Sequence, residues 1–168
     1  MKTTQIKKMS IAALLAALAV VLSPFSVPVG ASKCFPIQHM INVIAGIILG
    51  PGYATGAAFV TSLIRNLLGT GSLLAFPGSM CGAFLAGLLF GKTKKIIAAC
   101  FGEVFGTGII GGLLAYPVAT MVMGKQAAVF AYVIPFLTAT LVGSLMAFML
   151  IGIMEKSGAF KQILKMME

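Results

Sequence analysis

The chain has 168 residues, of which 60% are apolar and only 9% are charged, whereas a soluble domain typically carries about 25% charged residues. A soluble fold of this size could not bury so much apolar surface, because roughly 30% of the chain's surface stays in water after folding. The composition therefore excludes an ordinary soluble domain. It predicts an all-α integral membrane protein with a single domain over residues 1–168.

The net charge of +9 does not indicate nucleic-acid binding, because the charges are grouped. Residues 9–32 and 126–154 carry no charge, and the basic residues cluster between apolar segments, as membrane anchors do. The chain has three widely spaced cysteines and one histidine, so neither a disulfide framework nor a metal site is predicted. We also expect no cofactor, since no cofactor motif is present.

The apolar segments predict six transmembrane helices, and the first extends from residue 9 to 23. Residues 23–38 contain three prolines and are predicted to form an irregular external loop. The other helices are expected at about residues 37–49, 53–68, 77–91, 96–123 and 126–154, with an amphipathic interfacial helix at 158–167. Helices 2 to 4 are short for full spans. Pro117 and Pro135 are expected to bend the last two.

The sides of the membrane follow from the lysines and arginines in short loops. Nine such residues fall on one side: Lys2, Lys7, Lys8, Lys92, Lys94, Lys95, Lys156, Lys161 and Lys165. Three fall on the other: Lys33, Arg65 and Lys125. This asymmetry places both termini in the cytoplasm and requires an even number of spans. The first segment, with Val29-Gly30-Ala31 after it, also fits a signal peptide, but its removal would leave an odd number.

Small residues recur at four-residue spacing, which allows helices to approach closely. We interpret the glycine pairs as internal packing: Gly46/Gly50, Gly52/Gly56, Gly78/Gly82, Gly87/Gly91, Gly102/Gly106 and Gly108/Gly112. Helix 1 carries a broad alanine surface of Ala12, Ala13, Ala16 and Ala17. That surface fits either a partner membrane protein or the chain's own bundle.

Polar side chains at membrane depth are costly and therefore suggest function. Glu103, with Thr107 on the same face, is interpreted as facing a substrate cavity, and the alternative is a protonated glutamate that bonds a neighbouring helix. Arg65 has three interpretations: it clamps an anion, it pairs with Glu103, or its side chain reaches the outer headgroups. Asn66 is a ligand candidate because an amide both donates and accepts.

Four further residues are candidates near the outer side. His39 and Asn42 share one face of helix 2, and a lone histidine is more often a structural hydrogen bonder than a ligand. Tyr116 and Tyr132 either belong to an interfacial aromatic belt or stack on a flat solute. No catalytic constellation is present in the sequence, so we do not predict an enzyme.

The stretch RNLLGTGSLLAFPGSM at residues 65–80 resembles the substrate-binding S components of energy-coupling factor (ECF) transporters, and most closely their ThiW type. Further likeness lies in GEVFGTG at residues 102–108, in AYPVA at 115–119 and in the alanine-rich helix 1. The resemblance covers nearly the whole chain. The segment from Arg65 to Met80 carries most of its specificity, whereas many S components share the alanine motif.

This resemblance implies a six-helix S component in the plasma membrane of a prokaryote. It implies as partners a transmembrane coupling subunit, which contacts the alanine surface, and two ATP-hydrolysing subunits. The implied ligand is a small heteroaromatic alcohol, hydroxyethylthiazole, bound near the outer face among the first loop and helices 4 to 6. Two alternatives remain open. The chain is an S component for another small or anionic heteroaromatic solute, or it is a membrane scaffold without transport function.

Overall fold

A computed structural model describes residues 3–29 and 32–167. Its helices are α1 (Thr3–Val21), α2 (Pro36–Leu49), α3 (Pro51–Leu67), α4 (Ala75–Thr93), α5 (Ile96–Val122), α6 (Val133–Lys156) and α7 (Ala159–Met167). Two short strands, β1 (Val27–Val29) and β2 (Ser32–Cys34), pair antiparallel with Val27 opposite Cys34. The described part of the chain is therefore helical apart from one hairpin.

Four helices, α1, α4, α5 and α6, are long and apolar enough to cross a membrane. Helix α2 is apolar but has only 14 residues, and α3 has 17. Together with 33 large apolar side chains that are exposed on the surface, these helices make the chain a multi-pass membrane protein. Lipid is the solvent that accounts for such a surface.

The structure corrects the sequence-based predictions at three places. The β1–β2 hairpin lies within residues 23–38, where an irregular loop was predicted; Pro28 is tolerated because this sheet has only two strands, both of them edges. Residues 126–132 precede α6 instead of forming its first turns, and Gly124, just before them, adopts a positive φ of 64°. Pro135 consequently sits in the first turn of α6, where its missing N–H breaks no helical hydrogen bond and causes no bend.

Helix α5 is not uniformly α-helical. Residues Val104–Gly111 and Val118–Val122 form wider π-helical turns, and Pro117 lies between them. Such turns change the direction in which successive side chains leave the helix, and they are frequent at functional sites. The first of them begins directly after Glu103.

Helix α4 lies at the centre and packs against α2, α3 and α5. Glycines allow the close approach: a Cβ on Gly87 would lie 2.6 Å from the nitrogen of Pro51, and one on Gly106 would lie 2.7 Å from the carbonyl oxygen of Cys81. Internal packing is thus the role of these glycines. Four glycines of the predicted pairs differ, because a Cβ on any of them would have no neighbour within 4 Å: Gly50, Gly52, Gly56 and Gly91.

The bundle has two distinct ends. The hairpin end contains β1, β2 and the segments 68–74 and 123–132, and the α7 end contains the turns at 50 and 94–95 together with α7. The α7 end carries most basic side chains of the described residues: Lys7, Lys8, Lys92, Lys94, Lys95, Lys156, Lys161 and Lys165. Lys2 lies outside the described residues, as do Gly30 and Ala31 of the signal-peptide alternative.

Candidate functional site

A narrow, partly enclosed cavity lies towards the hairpin end of the bundle. Residues at the start of α2, α4 and α6 and in the middle of α5 surround it. Its lining combines aromatic rings, small apolar groups and polar side chains: Phe35, Gln38, His39, Ser72, Ala75, Ser79, Thr107, Pro135, Phe136 and Ala139. A mostly apolar cavity with a few convergent polar groups is typical of a small-molecule site.

Glu103 is the centre of a buried polar cluster behind this cavity. Its side chain is 0% exposed, and its Oε1 lies 2.8 Å from His39 Nδ1, 3.1 Å from Asn42 Nδ2 and 2.9 Å from Thr107 Oγ1. His39 and Asn42 share a face of α2 because they are three residues apart, and Thr107 follows Glu103 by one turn of α5. The sequence-predicted residues His39, Asn42 and Glu103 are therefore brought together.

The opposite wall of the cluster is Gly82 on α4. A Cβ at Gly82 would collide with Thr107 Oγ1 and Glu103 Oε2, and it would lie 2.7 Å from Glu103 Cδ. Gly82 is seven residues from the first residue of α4, Ala75, which corresponds to about 10 Å along the axis. Glu103 thus lies opposite the middle of α4, and it is seven residues from Ile96, the first residue of α5.

A second group of hydrogen bonds links Arg65 to this cluster. Arg65 Nη1 donates to Gln38 Oε1, and Gln38 Nε2 donates to Ser79 Oγ at 2.8 Å. Asn42 Nδ2 also donates to Ser79 Oγ, at 3.2 Å, and thereby connects the chain to Glu103. All of these side chains are buried. The network satisfies polar groups that would otherwise be expensive in a dry interior.

Arg65 itself is only 1% exposed. Its guanidinium lies 3.7 Å from the centre of the Phe35 ring, and Nη2 donates to the carbonyl of Thr70 at 3.3 Å. The side chain therefore does not extend to the headgroups, which excludes that interpretation. Among the described residues, the basic side chain in contact with Glu103 is His39 and not Arg65.

The other candidates lie outside the cavity lining. Asn66 Nδ2 donates to the carbonyls of Ser62 and Ser72, at 2.8 and 3.1 Å, and so ties segment 68–74 to α3. Tyr132 is buried against Ala115 and Ala119 of α5, next to the ring of Phe136, while Tyr116 is partly buried on α5. A direct ligand contact by these three residues stays a prediction.

Sequence reasoning missed Gln38 and Ser79, which join the two parts of the network. One signal was present: Gln38 and Asn42 are four residues apart on α2 and therefore share a face. Ser79 lies in the Phe-Pro-Gly-Ser stretch at residues 76–79, but nothing in that stretch indicates which helix the hydroxyl would face.

The four alanines of the α1 surface do not all face the same way. Ala16 is buried at 3% exposure and Ala12 packs partly against the core, whereas Ala13 and Ala17 are exposed. Between α1 and α3 runs a shallow groove, which we call the α1–α3 groove. Its floor consists mainly of small residues: Ala12, Ala13, Ala16, Gly52, Gly56 and Ala57, with Met9, Tyr53 and Val60 beside them.

Within residues 3–29 and 32–167, no group of three or more His, Cys, Asp or Glu side chains is arranged to hold a metal ion. The Glu103 cluster offers hydrogen-bond donors and acceptors. His39 is the member of the Glu103 pair that reaches the cavity surface, with 12% of its side chain exposed.

Comparisons with known proteins agree with a transport role. The family model described as thiamine-precursor transporter protein (ThiW) matches residues 9–157, which is most of the 168-residue chain. No curated protein and no solved structure matches significantly. The extent of the family match decides the assignment, and the chain belongs to the ThiW family of thiamine-precursor transporter proteins.

Proposed function

We propose that the chain is the substrate-capture subunit, or S component, of an ECF-type transporter and that it binds hydroxyethylthiazole in the cavity at the hairpin end. The observation that carries this proposal is the cavity itself, in a chain of the ThiW family. Hydroxyethylthiazole is a flat ring with one hydroxyl. The rings of Phe35 and Phe136 offer apolar contact, and His39 and its neighbours offer a few polar atoms.

The orientation that fits this role has the hairpin end outside and both termini in the cytoplasm. The uneven distribution of lysines and arginines between the two ends supports this orientation. Because Arg65 is buried, it no longer counts as an outer-loop charge, and the distribution becomes still more uneven. Six spans follow if α2 and α3 cross despite their length. Helix α2 is about 21 Å long, and the β1–β2 hairpin lies beyond its outer end. The membrane would be the plasma membrane of a prokaryote.

The proposed partners are a transmembrane coupling subunit and two ATP-hydrolysing subunits. The α1–α3 groove supports a partner helix, because Gly52 and Gly56 are not needed for the chain's own packing. Small residues with empty space above them let a second helix approach closely in lipid. Ala13 is the exposed alanine that lines this groove, Ala17 is exposed outside its lining, and Ala16 already packs inside the bundle.

The ligand is tested by titration calorimetry on the purified chain in detergent, with hydroxyethylthiazole, its phosphate ester and thiamine as three ligands. We expect saturable binding of the free alcohol, and weaker binding of the phosphate ester by at least tenfold, or about 1.4 kcal/mol. The reason is that the nearest guanidinium, Arg65, is already engaged by Gln38 and Thr70. Absence of alcohol binding, with binding of another of the three, would contradict the proposal.

The partner surface is tested by filling the α1–α3 groove. Gly56→Leu adds a large side chain where no atom of the chain lies within 4 Å of the Cβ position, so we expect normal folding and normal thiazole affinity but loss of co-purification with the coupling subunit. Gly152→Leu on α6 is the matched control, because Gly152 also has open space beside it. If both variants assemble normally, the groove is not the contact surface.

A further inference from the structure

We infer that Glu103 acts on the ligand through His39: the carboxylate holds the imidazole in the tautomer whose Nε2 carries no proton, and that nitrogen accepts a hydrogen bond from the hydroxyl of the bound thiazole alcohol. The inference rests on the proposed function and assigns the polar contact within it. Glu103 is then a positioning residue, and His39 is the residue that touches the ligand.

The first step is the order of the two side chains. His39 lines the cavity, whereas Glu103 does not. The histidine side chain keeps 12% exposure and the glutamate has none. Because His39 Nδ1 and Glu103 Oε1 are 2.8 Å apart, the imidazole stands between the carboxylate and the space that a ligand would occupy. A hydroxyl in the cavity would therefore meet the imidazole first.

The second step concerns which atom carries the proton between Glu103 and His39. Asn42 Nδ2 lies 3.1 Å from Glu103 Oε1 and can only donate. A proton on the other oxygen, Oε2, would have no acceptor, since Oε2 is fully buried without a hydrogen-bond partner. The geometry therefore makes Glu103 Oε1 the acceptor of its contacts with Asn42 and His39. His39 Nδ1 then donates, and in a neutral ring Nε2 is unprotonated.

The third step is that Nε2 has no competing partner in the described part of the chain. The hydrogen bonds of His39 there consist of the one to Glu103. The neighbouring polar groups of the cavity are already paired: Gln38 Nε2 donates to Ser79 Oγ, and the Thr107 hydroxyl lies 2.9 Å from both the Gly78 carbonyl and Glu103 Oε1. Ser72 also lines the cavity, and its hydroxyl oxygen accepts from the Leu74 N–H at 3.3 Å. The unprotonated Nε2 is thus the acceptor without any partner that remains for a ligand.

This arrangement also explains selectivity. An alcohol donates its O–H to Nε2, whereas an alkyl group in the same place would leave the nitrogen unpaired in a dry cavity. A phosphate ester offers no O–H donor when fully ionised and adds negative charge near the buried Glu103. The site accordingly selects the free alcohol against both analogues, and a hydroxyl-binding site of this kind can discriminate strongly.

The tautomer is tested without any ligand. His39 is the only histidine of the chain, so protein labelled with ¹⁵N-histidine shows the two ring nitrogens of this residue alone. We expect a protonated Nδ1 and an unprotonated Nε2 in the wild type. In Glu103→Gln, whose amide can also donate to Nδ1, we expect a mixture with the opposite tautomer. A doubly protonated ring, or a protonated Nε2 in the wild type, would overturn the inference.

The ligand contact is tested with two thiazoles that differ only in the hydroxyl: 4-methyl-5-(2-hydroxyethyl)thiazole and 4-methyl-5-ethylthiazole. The wild type should bind the alcohol ten- to a hundredfold more tightly. His39→Asn keeps an amide close to the position of Nδ1, and so its contact with Glu103, but has no atom in place of Nε2. The preference should fall to about threefold or less. Ser144→Ala, a buried polar residue on α6 away from the cavity, should retain the full preference.

The outcomes separate the two claims. If the wild type binds both thiazoles equally, or if His39→Asn keeps the full preference for the alcohol, the role of His39 is wrong while the proposed function stands. If the wild type binds neither thiazole, the proposed function fails, and the ligand contact fails with it. Circular dichroism on each variant establishes that a lost preference does not reflect a lost fold.

Discussion

Replacement of Gly82 by alanine tests the Glu103 cluster with a single added methyl group. The new Cβ would collide with Thr107 Oγ1 and Glu103 Oε2 and would lie 2.7 Å from Glu103 Cδ. None of these atoms is the free end of a flexible surface side chain, because Thr107 and Glu103 are fully buried. The variant must therefore displace the carboxylate or push α4 away from α5.

The magnitude follows from the contacts that are lost. Overpacking of a dense interior costs about 1–3 kcal/mol. Displacement of Thr107 weakens its hydrogen bond to Gly78, a loss of about 1 kcal/mol, and each donor moved from the carboxylate adds about 1.5–3 kcal/mol. Alanine recovers up to about 1 kcal/mol over glycine in a helix. With one donor moved, we expect a net destabilisation of about 2.5–6 kcal/mol. We also expect at least a tenfold loss of thiazole affinity, because His39 moves with Glu103.

The matched control is Gly56→Ala, the same substitution in a glycine whose Cβ position has no neighbour within 4 Å. It should change stability by less than about 1 kcal/mol and leave affinity unchanged. Both variants are compared with wild type by SDS-induced unfolding in detergent micelles, followed by far-UV circular dichroism, and by calorimetric titration. If Gly82→Ala is as stable as Gly56→Ala and binds the ligand normally, the cluster does not have the packing described above.

Three further predictions concern topology and the remaining buried polar groups. Lys94→Cys should react with a membrane-impermeant thiol reagent only after the cells are opened, and Lys125→Cys should react in intact cells; the reverse pattern would invert the orientation. Arg65→Lys should lower the free energy of unfolding by about 2 kcal/mol, because an ammonium cannot reproduce the guanidinium contacts to Gln38 and Thr70, and a variant of wild-type stability would contradict this. Ser144→Ala should leave stability unchanged or raise it by up to about 1 kcal/mol, since the buried hydroxyl has no partner; a loss greater than 1 kcal/mol would show that it has one.

Most helices could be predicted from the sequence. Apolar segments in lipid must form their backbone hydrogen bonds internally, as a helix does, and proline or glycine marks the breaks between the helices. The exceptions have physical causes. Residues 126–132 are apolar enough to continue a helix, yet Gly124 redirects the chain and Tyr132 packs against α5. The β1–β2 hairpin has strands of three residues, too short to produce a recognisable alternation.

The candidate site was only partly predictable. The chemistry of His39, Asn42 and Glu103 drew attention because polar groups are rare at membrane depth. Which of these side chains lies nearest the cavity depends on how α2 and α5 are rotated and offset against each other. The π-helical turns after Glu103 alter the rotation of α5. The sequence therefore indicated the polar residues, but it could not show that the histidine would stand in front of the glutamate.

Glycine spacing likewise does not show what a glycine packs against in the fold, and this has a consequence for function. The pairs Gly52/Gly56 and Gly78/Gly82 are identical in spacing, but Gly82 holds α4 against the Glu103 cluster while Gly52 and Gly56 face open space. Spacing alone cannot separate these cases, since both depend on what packs above the glycine. Because the two pairs lie on different helices and face in different directions, ligand affinity and partner binding should respond to different substitutions. Any coupling between the two surfaces passes through α2 and α4, the two helices that each pack against both α3 and α5.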